Sequence, residues 1–591
     1  MKLVAVLLLI IGAVAEAHQC MHDDPHFRSK VAPEFDLKDY STIRSPQQGD
    51  DRDPSSHAFT GQALGREPIR IVISDDDVYS GSCISSNSSV NDYQGGTIAC
   101  SSDTVMTTAK RDALLNKIIP GAVALLSNAL SVTPIIGNLI VTTKCSSPFT
   151  TPTSHRTTGV PNADFVLYVA SVPTSGSTVA WAGFCSVNLN SRPITGRMNI
   201  NPKYITYDEA DPAAIRNLER TVAHELLHAL GFSSGFWSNG GFPSDPVRSE
   251  TRRGKSVTII GSTNARTKAR EHFNCTTMNG PEIEDQGGSG TGGSHWERRN
   301  HLDDIMSGIT GPQMFLSPVT LGLMQDSGHY DINWNAAESP EWMRNAGCGS
   351  QFDKCNEKCG GKGTAFCDIQ ESTSKDKCDF AYRGYGTCGI GSYTSDLPSY
   401  AQYDPSNPRR GGTSSLMDYC PKVVTYSNRE CDNPANTYAN NTQYGEYFAT
   451  DGRCFETSAS ATVQQTGAGG SRTAGEPRCL QTRCVQINSE FVVQFKIKSS
   501  KPWASCGASG SLVNLTSYGY DGQIVCPDSG AMCLQATQIV NLTGTFASRQ
   551  ESFCTAPTRE AGGTGSGIAA MSSLIPLVLA VATLLFTTTM L

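Results

Sequence analysis

The clearest hydrophobic pattern of the chain lies between residues 211 and 231, where apolar residues recur at steps of three and four. The apolar positions are Ile215, Leu218, Val222 and Leu226. A period near 3.6 places them on one face and predicts an amphipathic helix. Asp211 and Pro212 suit its first turn, and Gly231 suits its end because glycine enters the left-handed conformation at little cost.

Four other segments carry weaker patterns. Residues 69–73 alternate like a first strand, and the run from Phe165 to Ala170 has the length of a strand. That second strand either edges a cleft and pairs with extended substrate or is an ordinary buried strand, and the sequence favours the buried strand. Residues 110–130 predict a helix interrupted at Pro120, and residues 319–325 predict a further helix.

The chemistry of the long helix is concentrated in His224-Glu225-Leu226-Leu227-His228. Two histidines four residues apart lie on one helix face, so both imidazoles can bind the same metal ion. Zinc accepts such nitrogen ligands and keeps one position open for water in catalytic sites. Glu225 lies beside the first histidine, where it can take the proton of that water. The motif therefore predicts a zinc-dependent peptide hydrolase, although a surface helix with two unrelated histidines is the competing interpretation.

The third metal ligand is less obvious. Gly231 extends the motif to H-E-x-x-H-x-x-G, but the residue three positions later is Ser234, which is a poor ligand. The histidines further along are His272, His295, His301 and His329. We expect His272, next to the sequon of Asn274, on a surface loop and His329 in a turn. His295 follows a glycine-rich run that can turn the chain back, and on these residues alone it is as good a candidate as His301.

The H-E-x-x-H-x-x-G segment, Gly293-Ser294-His295-Trp296, Arg299-Asn300 and the turn at Ile305-Met306 together resemble leishmanolysin, the surface protease family of trypanosomatid parasites. The likeness extends to residues 163–169 and to the cysteine-rich C-terminal region, and so covers most of the chain. It implies one Zn²⁺ per chain, bound by His224, His228 and His295. It also implies Glu225 as the catalytic base and Met306 as the apolar floor beneath the metal.

The N-terminus and the cysteines indicate a secreted chain. Residues 1–17 have the charged start, apolar run and small-x-small site of a signal peptide. Secretion leads to an oxidising compartment, where most of the 21 cysteines are expected in disulfides. Cys20 stands alone in His18-Gln19-Cys20-Met21-His22-Asp23 and resembles the family's propeptide switch, in which a thiolate occupies the open zinc position. Pairing of Cys20 with another cysteine is the alternative.

The composition and the C-terminus indicate where in the cell the protein is found and which partners it has. The chain has 591 residues and a net charge of −8, and no basic patch with interleaved aromatic residues indicates nucleic-acid binding. The small residues around Gly562 and Gly563 precede an uncharged apolar end, which predicts a GPI attachment signal and a membrane-anchored surface protein. A transmembrane helix is the weaker alternative because no Lys or Arg follows the apolar run. The sequons predict glycans at Asn87, Asn274, Asn440, Asn514 and Asn541.

These features predict an α+β protein with metzincin-like catalytic lobes and a disulfide-rich, mostly β C-terminal domain. The predicted parts are a signal peptide (1–17), a propeptide (18–65), an N-terminal lobe (66–231), a central lobe with the third histidine and the Met-turn (232–347), the Cys-rich domain (348–556) and the anchor signal (557–591). The predicted function is hydrolysis of proteins and peptides at the cell surface. The alternative is a surface adhesin that binds host or cell-surface ligands and carries a vestigial protease site.

Overall fold

The computed structural model describes residues 65–535, with gaps at 210–211, 289, 312, 358–359, 361–364, 371–374, 437–440, 471 and 488–489. The predicted signal peptide, Cys20 and the predicted anchor signal lie outside the described residues, as do the sequons at Asn440 and Asn541. In the described part of the chain, no helix has both the length and the apolar character needed to cross a bilayer.

A four-stranded sheet forms the core of the N-terminal part. Its strands are β1 (Ile71–Ser74), β2 (Phe165–Ala170), β3 (Ala180–Val187) and β4 (Pro193–Ile200), in the order β1-β2-β4-β3. β2 pairs in parallel with β1 and β4, and β3 pairs antiparallel with β4. The predicted first strand is therefore present, two residues further along the chain than its apolar alternation suggested.

Both faces of β2 are buried, which explains its unbroken apolar sequence. Phe165, Leu167 and Val169 belong to the core shared with the helices, while Val166 and Tyr168 belong to a second core on the opposite face. Successive side chains of a strand point to opposite faces, so one run supplies both cores. The prediction of a buried strand is confirmed, and the idea that β2 edges the cleft is wrong because β2 lies between two other strands. The antiparallel β3 is the outer strand on the side of β4 and forms one edge of the sheet.

Four helices matter for the site: α1 (Ile119–Ala129), α2 (Pro212–Ala229), α3 (Thr263–Phe273) and α4 (Pro318–Asp326). α2 is the helix that the apolar period predicted, and Pro212 is its first residue; Asp211 lies outside the described residues. Leu218, Val222 and Leu226 of α2 enter the same core as the apolar residues of β2.

The helix predicted at 110–130 does not break at Pro120. An α-helical turn at Thr108–Ala113 continues into a π-helical segment at Leu114–Ile118 and then into α1. Pro120 falls in the first turn of α1, after the wider π turn, where the missing N–H group of proline is tolerated. The predicted interruption is thus wrong in position: the irregular segment comes before the proline.

The region after α2 contains a hairpin and two helices, and the buried apolar residues of the two helices belong to the same core as one face of β2. The hairpin strands Val247–Arg252 and Lys255–Ile260 lead to α3, and α4 packs against α3. A disulfide joins Cys275, two residues after α3, to Cys348. The predicted helix near residue 319 is confirmed as α4.

The C-terminal region is mostly β structure and is braced by disulfides, as predicted. Two sheets dominate it, one of Lys377–Cys378, Gly384–Cys388 and Val423–Glu430 and one of Gly452–Phe455, Arg478–Ile487, Glu490–Lys496 and Ala504–Ser505. The disulfides of this region are Cys355–Cys420, Cys367–Cys388, Cys378–Cys454, Cys431–Cys479, Cys484–Cys533 and Cys506–Cys526. The N-terminal part adds Cys83–Cys100 and Cys145–Cys185.

The other regular elements are short. The strands are Glu67–Pro68, Ser89–Asn91, Thr97–Ala99, Leu130–Val132, Asp331–Ile332, Ile390–Ser392, Arg410–Gly412, Gln464–Gln465, Leu512–Asn514, Tyr520–Asp521 and Gln523–Val525. The α-helices are Asp76–Ser80, Thr153–Thr157, Ser234–Trp237, Gly349–Phe352, Asn441–Tyr444 and Ser529–Gln535. The 3₁₀ turns are Ser102–Thr104, Pro202–Tyr204, Trp334–Ala336, Ser399–Ala401, Ser415–Met417 and Thr516–Tyr518.

Candidate active site

Three imidazoles meet at the C-terminal half of α2. The Nε2 atom of His228 lies 3.1 Å from Nε2 of His224 and 3.1 Å from Nε2 of His295, and the other two Nε2 atoms are 3.3 Å apart. All three side chains are buried. The first two histidines come from one helix. The third comes from a loop about seventy residues further along the chain, which the fold brings next to that helix.

The opposite nitrogen of each ring faces a main-chain carbonyl. Nδ1 of His224 lies 2.6 Å from the oxygen of Ile305, Nδ1 of His228 lies 2.6 Å from that of Phe232, and Nδ1 of His295 lies 2.7 Å from that of Thr291. A carbonyl oxygen can only accept, so each Nδ1 must carry the proton and donate it. The neutral rings then direct three Nε2 lone pairs toward one point.

This donor set fits a tetrahedral metal ion. Zn–N bonds of about 2.0–2.1 Å set neighbouring nitrogens about 3.3–3.4 Å apart, close to the observed 3.1–3.3 Å. Three neutral imidazoles leave one tetrahedral position for a water or a substrate oxygen, which is the ligand count of a catalytic site and not of a structural one.

A glycine turn places the second histidine and its acceptor. Gly231 follows α2 with a φ of +113°, and the N–H group of Phe232 donates to the carbonyl of Leu227. The N–H group of Gly231 donates to the carbonyl of His228, so the two bonds form a Schellman motif, and the predicted left-handed glycine at the end of the helix is confirmed. The reversal of the chain brings the carbonyl of Phe232 back to the His228 ring.

The Met-turn joins the first and third histidines. The carbonyl of Ile305 accepts the proton of His224, while the carbonyl of Met306 accepts the N–H group of Trp296, the residue after His295. Met306 itself is fully buried in the main core, in agreement with an apolar floor. One turn therefore fixes two of the three imidazoles.

The residues that hold the Met-turn in place were not predicted from the sequence. Oδ1 of the buried Asp304 accepts the N–H group of Met306 at 2.7 Å and the hydroxyl of Thr320 at 2.8 Å. That hydroxyl oxygen accepts the indole N–H of Trp296 at 2.8 Å. Burial raises the pKa of Asp304 to about 7. An aspartate two residues before a turn N–H is a recognisable Asx pattern, but its link to α4 is not visible in the sequence.

Glu225 occupies the helix position directly after His224 and one turn before His228, and its side chain is buried. The helix itself therefore holds Glu225 beside the two histidines. A buried carboxylate beside a metal-bound water is the arrangement that general-base catalysis requires.

The other histidines lie elsewhere. His301 is buried against the rings of Trp296 and Phe273 and does not join the three imidazoles. His272 is not on a surface loop as expected: it belongs to α3, and its Nε2 lies 2.8 Å from the carbonyl of Trp342. The neighbouring Asn274 ends that helix in the left-handed conformation. The sequon therefore begins at the end of α3, two residues after the half-buried His272. His329 lies in the predicted turn after α4.

A convergent set of three imidazoles with an adjacent helical glutamate defines the class of the protein: a metal-dependent peptidase of the H-E-x-x-H type. A family model for leishmanolysin (peptidase M8) matches residues 38–540. The chain therefore belongs to the leishmanolysin family and is a leishmanolysin-like zinc metalloendopeptidase.

Individual relatives agree with this family. A leishmanolysin homolog of Crithidia fasciculata is 34% identical over 450 residues, which are 75% of this chain and 66% of the relative. The leishmanolysin of Leishmania chagasi is 31% identical over 595 residues, 96% of this chain and 93% of the relative. A leishmanolysin-like peptidase of Drosophila melanogaster is 29% identical over 325 residues, 46% of this chain and 47% of the relative.

Proposed function

We propose that the protein is a cell-surface endopeptidase in which His224, His228 and His295 bind one zinc ion per chain and Glu225 is the general base. The observation that carries this proposal is the convergence of three Nε2 atoms within 3.3 Å of one another, each on a ring whose Nδ1 proton is held by a main-chain carbonyl. Main-chain acceptors fix the tautomer that leaves Nε2 unprotonated for the metal.

The metal, Glu225 and the edge strand have separate roles in the proposed reaction. When bound, zinc supplies a water that ionises near neutral pH and a Lewis acid for the scissile carbonyl. Glu225 accepts the proton of the attacking water and delivers it to the amine that leaves, so that one carboxylate acts as base and then as acid. The strand β3 lies at one edge of the sheet, the position at which an extended peptide can add as a further strand.

Removal of the metal tests the proposal directly. We expect the purified mature protein to contain about one zinc per chain and to digest casein, because three imidazole ligands form a catalytic zinc site. A chelator should abolish the digestion, and added Zn²⁺ should restore it. A zinc-loaded protein that leaves casein and a peptide library intact would favour the alternative of an adhesin with a vestigial site.

We further propose that the chain is made as a zymogen in which the thiolate of Cys20 occupies the open metal position. Nine disulfides account for eighteen cysteines of the described residues, which agrees with a framework in which most cysteines other than Cys20 are paired. A thiolate is a strong zinc ligand and competes with the water that the reaction needs.

Replacing Cys20 by alanine should give a precursor that digests casein before processing, whereas the wild-type precursor stays inactive. Activity of the two precursors is compared at equal zinc content, and the mature forms of both serve as the control because they lack this segment. A C20A precursor that remains fully latent would exclude the thiolate as the inhibitory group.

We also propose a GPI anchor near Gly562 or Gly563, and glycans on the sequons. The side chains of Asn87, Asn274 and Asn514 are exposed, as glycan acceptors must be. A phospholipase specific for phosphatidylinositol should release the mature protein from cells, because the lipid is then the only membrane attachment. Mature membrane-bound protein that still contains Leu591 would contradict the anchor.

A further inference from the structure

A second cluster of metal-ligand groups lies beside the loop that carries His295. Glu284, Asp285 and Glu297 each place a carboxylate oxygen within 4.8 Å of the others. Glu284 and Glu297 are buried, while Asp285 is exposed. The cluster thus has a closed interior and one side open to solvent, through which an ion can enter.

One carboxylate oxygen in this cluster has no hydrogen-bond partner. Oε1 of Glu297 accepts the N–H group of Arg299 at 3.2 Å, but its Oε2 is buried without any partner, and the whole residue is 0% exposed. A buried carboxylate oxygen without a donor is unfavourable unless a cation or a proton satisfies it. The side chain therefore needs a metal cation or a proton as its partner.

The neighbouring cationic side chains do not pair with the two buried glutamates. Lys255 bridges Asp285 at 3.0 Å and Asp418 at 2.6 Å, and Arg253 pairs with Glu282 and Asp418. The oxygens of Glu284 accept only main-chain N–H groups, from Gln286 at 2.9 Å and Arg298 at 3.1 Å. In the described part of the chain, neither Glu284 nor Glu297 forms an ion pair.

Electrostatics agree with this arrangement. Two buried carboxylates side by side repel each other, so they bind either a shared proton or a metal cation.

We propose that Glu284, Asp285 and Glu297 form a calcium site. Calcium prefers hard oxygen ligands and accepts irregular geometry, and opposite ligands at Ca–O distances of about 2.3–2.6 Å lie about 4.6–5.2 Å apart. Carboxylate oxygens that all lie within 4.8 Å of one another can share one such coordination sphere, and the all-oxygen donor set suits calcium.

The position of this site links it to the catalytic centre. The N–H group of Glu284 donates to the carbonyl of His295 at 2.9 Å, and the N–H group of Gly293 donates to the carbonyl of Glu284 at 2.8 Å. Glu297 lies two residues beyond the third histidine, on the far side of the same loop. A cation held by both glutamates therefore clamps the two ends of the loop and keeps His295 in place.

Calcium binding can be measured without reference to proteolysis. The zinc-loaded mature protein, passed over a resin to remove calcium, is titrated with CaCl₂ up to about 10 mM, above the weakest affinity usual for extracellular calcium modules. We expect the Tm to rise by about 1–2 °C at ten times the half-saturating concentration. Release of zinc to a colorimetric chelator should slow severalfold, and MgCl₂ should do neither.

Two substitutions test the assignment. Glu297→Gln keeps the shape of the side chain and should abolish both effects of calcium. Asp285→Asn, at an exposed position, should weaken calcium binding at least tenfold. Glu271→Gln is the matched control, because it removes an exposed carboxylate on α3 that pairs only with Lys268. Absence of calcium binding to the wild-type protein, as a shared proton would cause, or equal binding by both variants, would overturn the site, whatever the peptidase activity.

Discussion

Replacing Glu225 by glutamine lowers kcat for a peptide substrate by about 10²–10⁴-fold, the usual contribution of a positioned acid–base group. The amide has the size of the carboxyl group but cannot accept the proton of the attacking water. Because Glu225 is next to the first ligand and is not itself one of the three convergent imidazoles, zinc content should stay at about one per chain and KM should change little.

The matched control is Glu219→Gln, six residues earlier on α2, which removes a carboxylate from the same helix without touching the three imidazoles. Both variants are assayed for zinc by elemental analysis and for kcat with a fluorogenic peptide. Near-normal turnover by the E225Q enzyme would exclude Glu225 as the base, and loss of zinc would show that it acts on the metal site instead.

Replacing His295 by alanine removes one of the three proposed nitrogen ligands, and we expect the two remaining imidazoles to retain zinc poorly at micromolar protein concentration. We expect zinc content to fall well below one per chain and peptidase activity to fall by more than about 10³-fold, since both the activated water and its position depend on the metal. Bound zinc is measured in mature protein after dialysis.

His301→Ala is the informative comparison, because the sequence alone could not choose between the two histidines. Loss of a buried ring packed on Trp296 and Phe273 should lower the free energy of unfolding by about 2–4 kcal/mol. Zinc content should nevertheless remain near one per chain at a temperature where the variant is folded. The reverse outcome, zinc retained by H295A and lost by H301A, would overturn the proposed ligand set.

The first half of the site was predictable because it is local. The spacing of His224 and His228 on a helix and the glycine three residues later specify a helix face and its end, and the structure contains both. The third imidazole was not predictable from residue chemistry, since its approach depends on the hairpin, α3 and the glycine-rich loop that precedes it. Only the resemblance to a family distinguished His295 from His301.

One error and one rejected alternative have a common origin. His272 was expected on a surface loop because polar residues and a sequon follow it, and the cleft edge was the weaker of two interpretations of the apolar run of β2. Local composition does not report which neighbours an element acquires: His272 meets the carbonyl of Trp342, and β2 gains a strand on each side. The role of Asp304 was not predicted for the same reason, because its partner Thr320 lies on a separate helix.

The main-chain acceptors of the three imidazoles have an evolutionary consequence. Every residue has a carbonyl oxygen, so mutation of Phe232, Thr291 or Ile305 does not delete the group that orients a ring. A centre oriented by carboxylate side chains would lose a partner with each such change. At these three positions, backbone shape therefore constrains the sequence more than residue identity does.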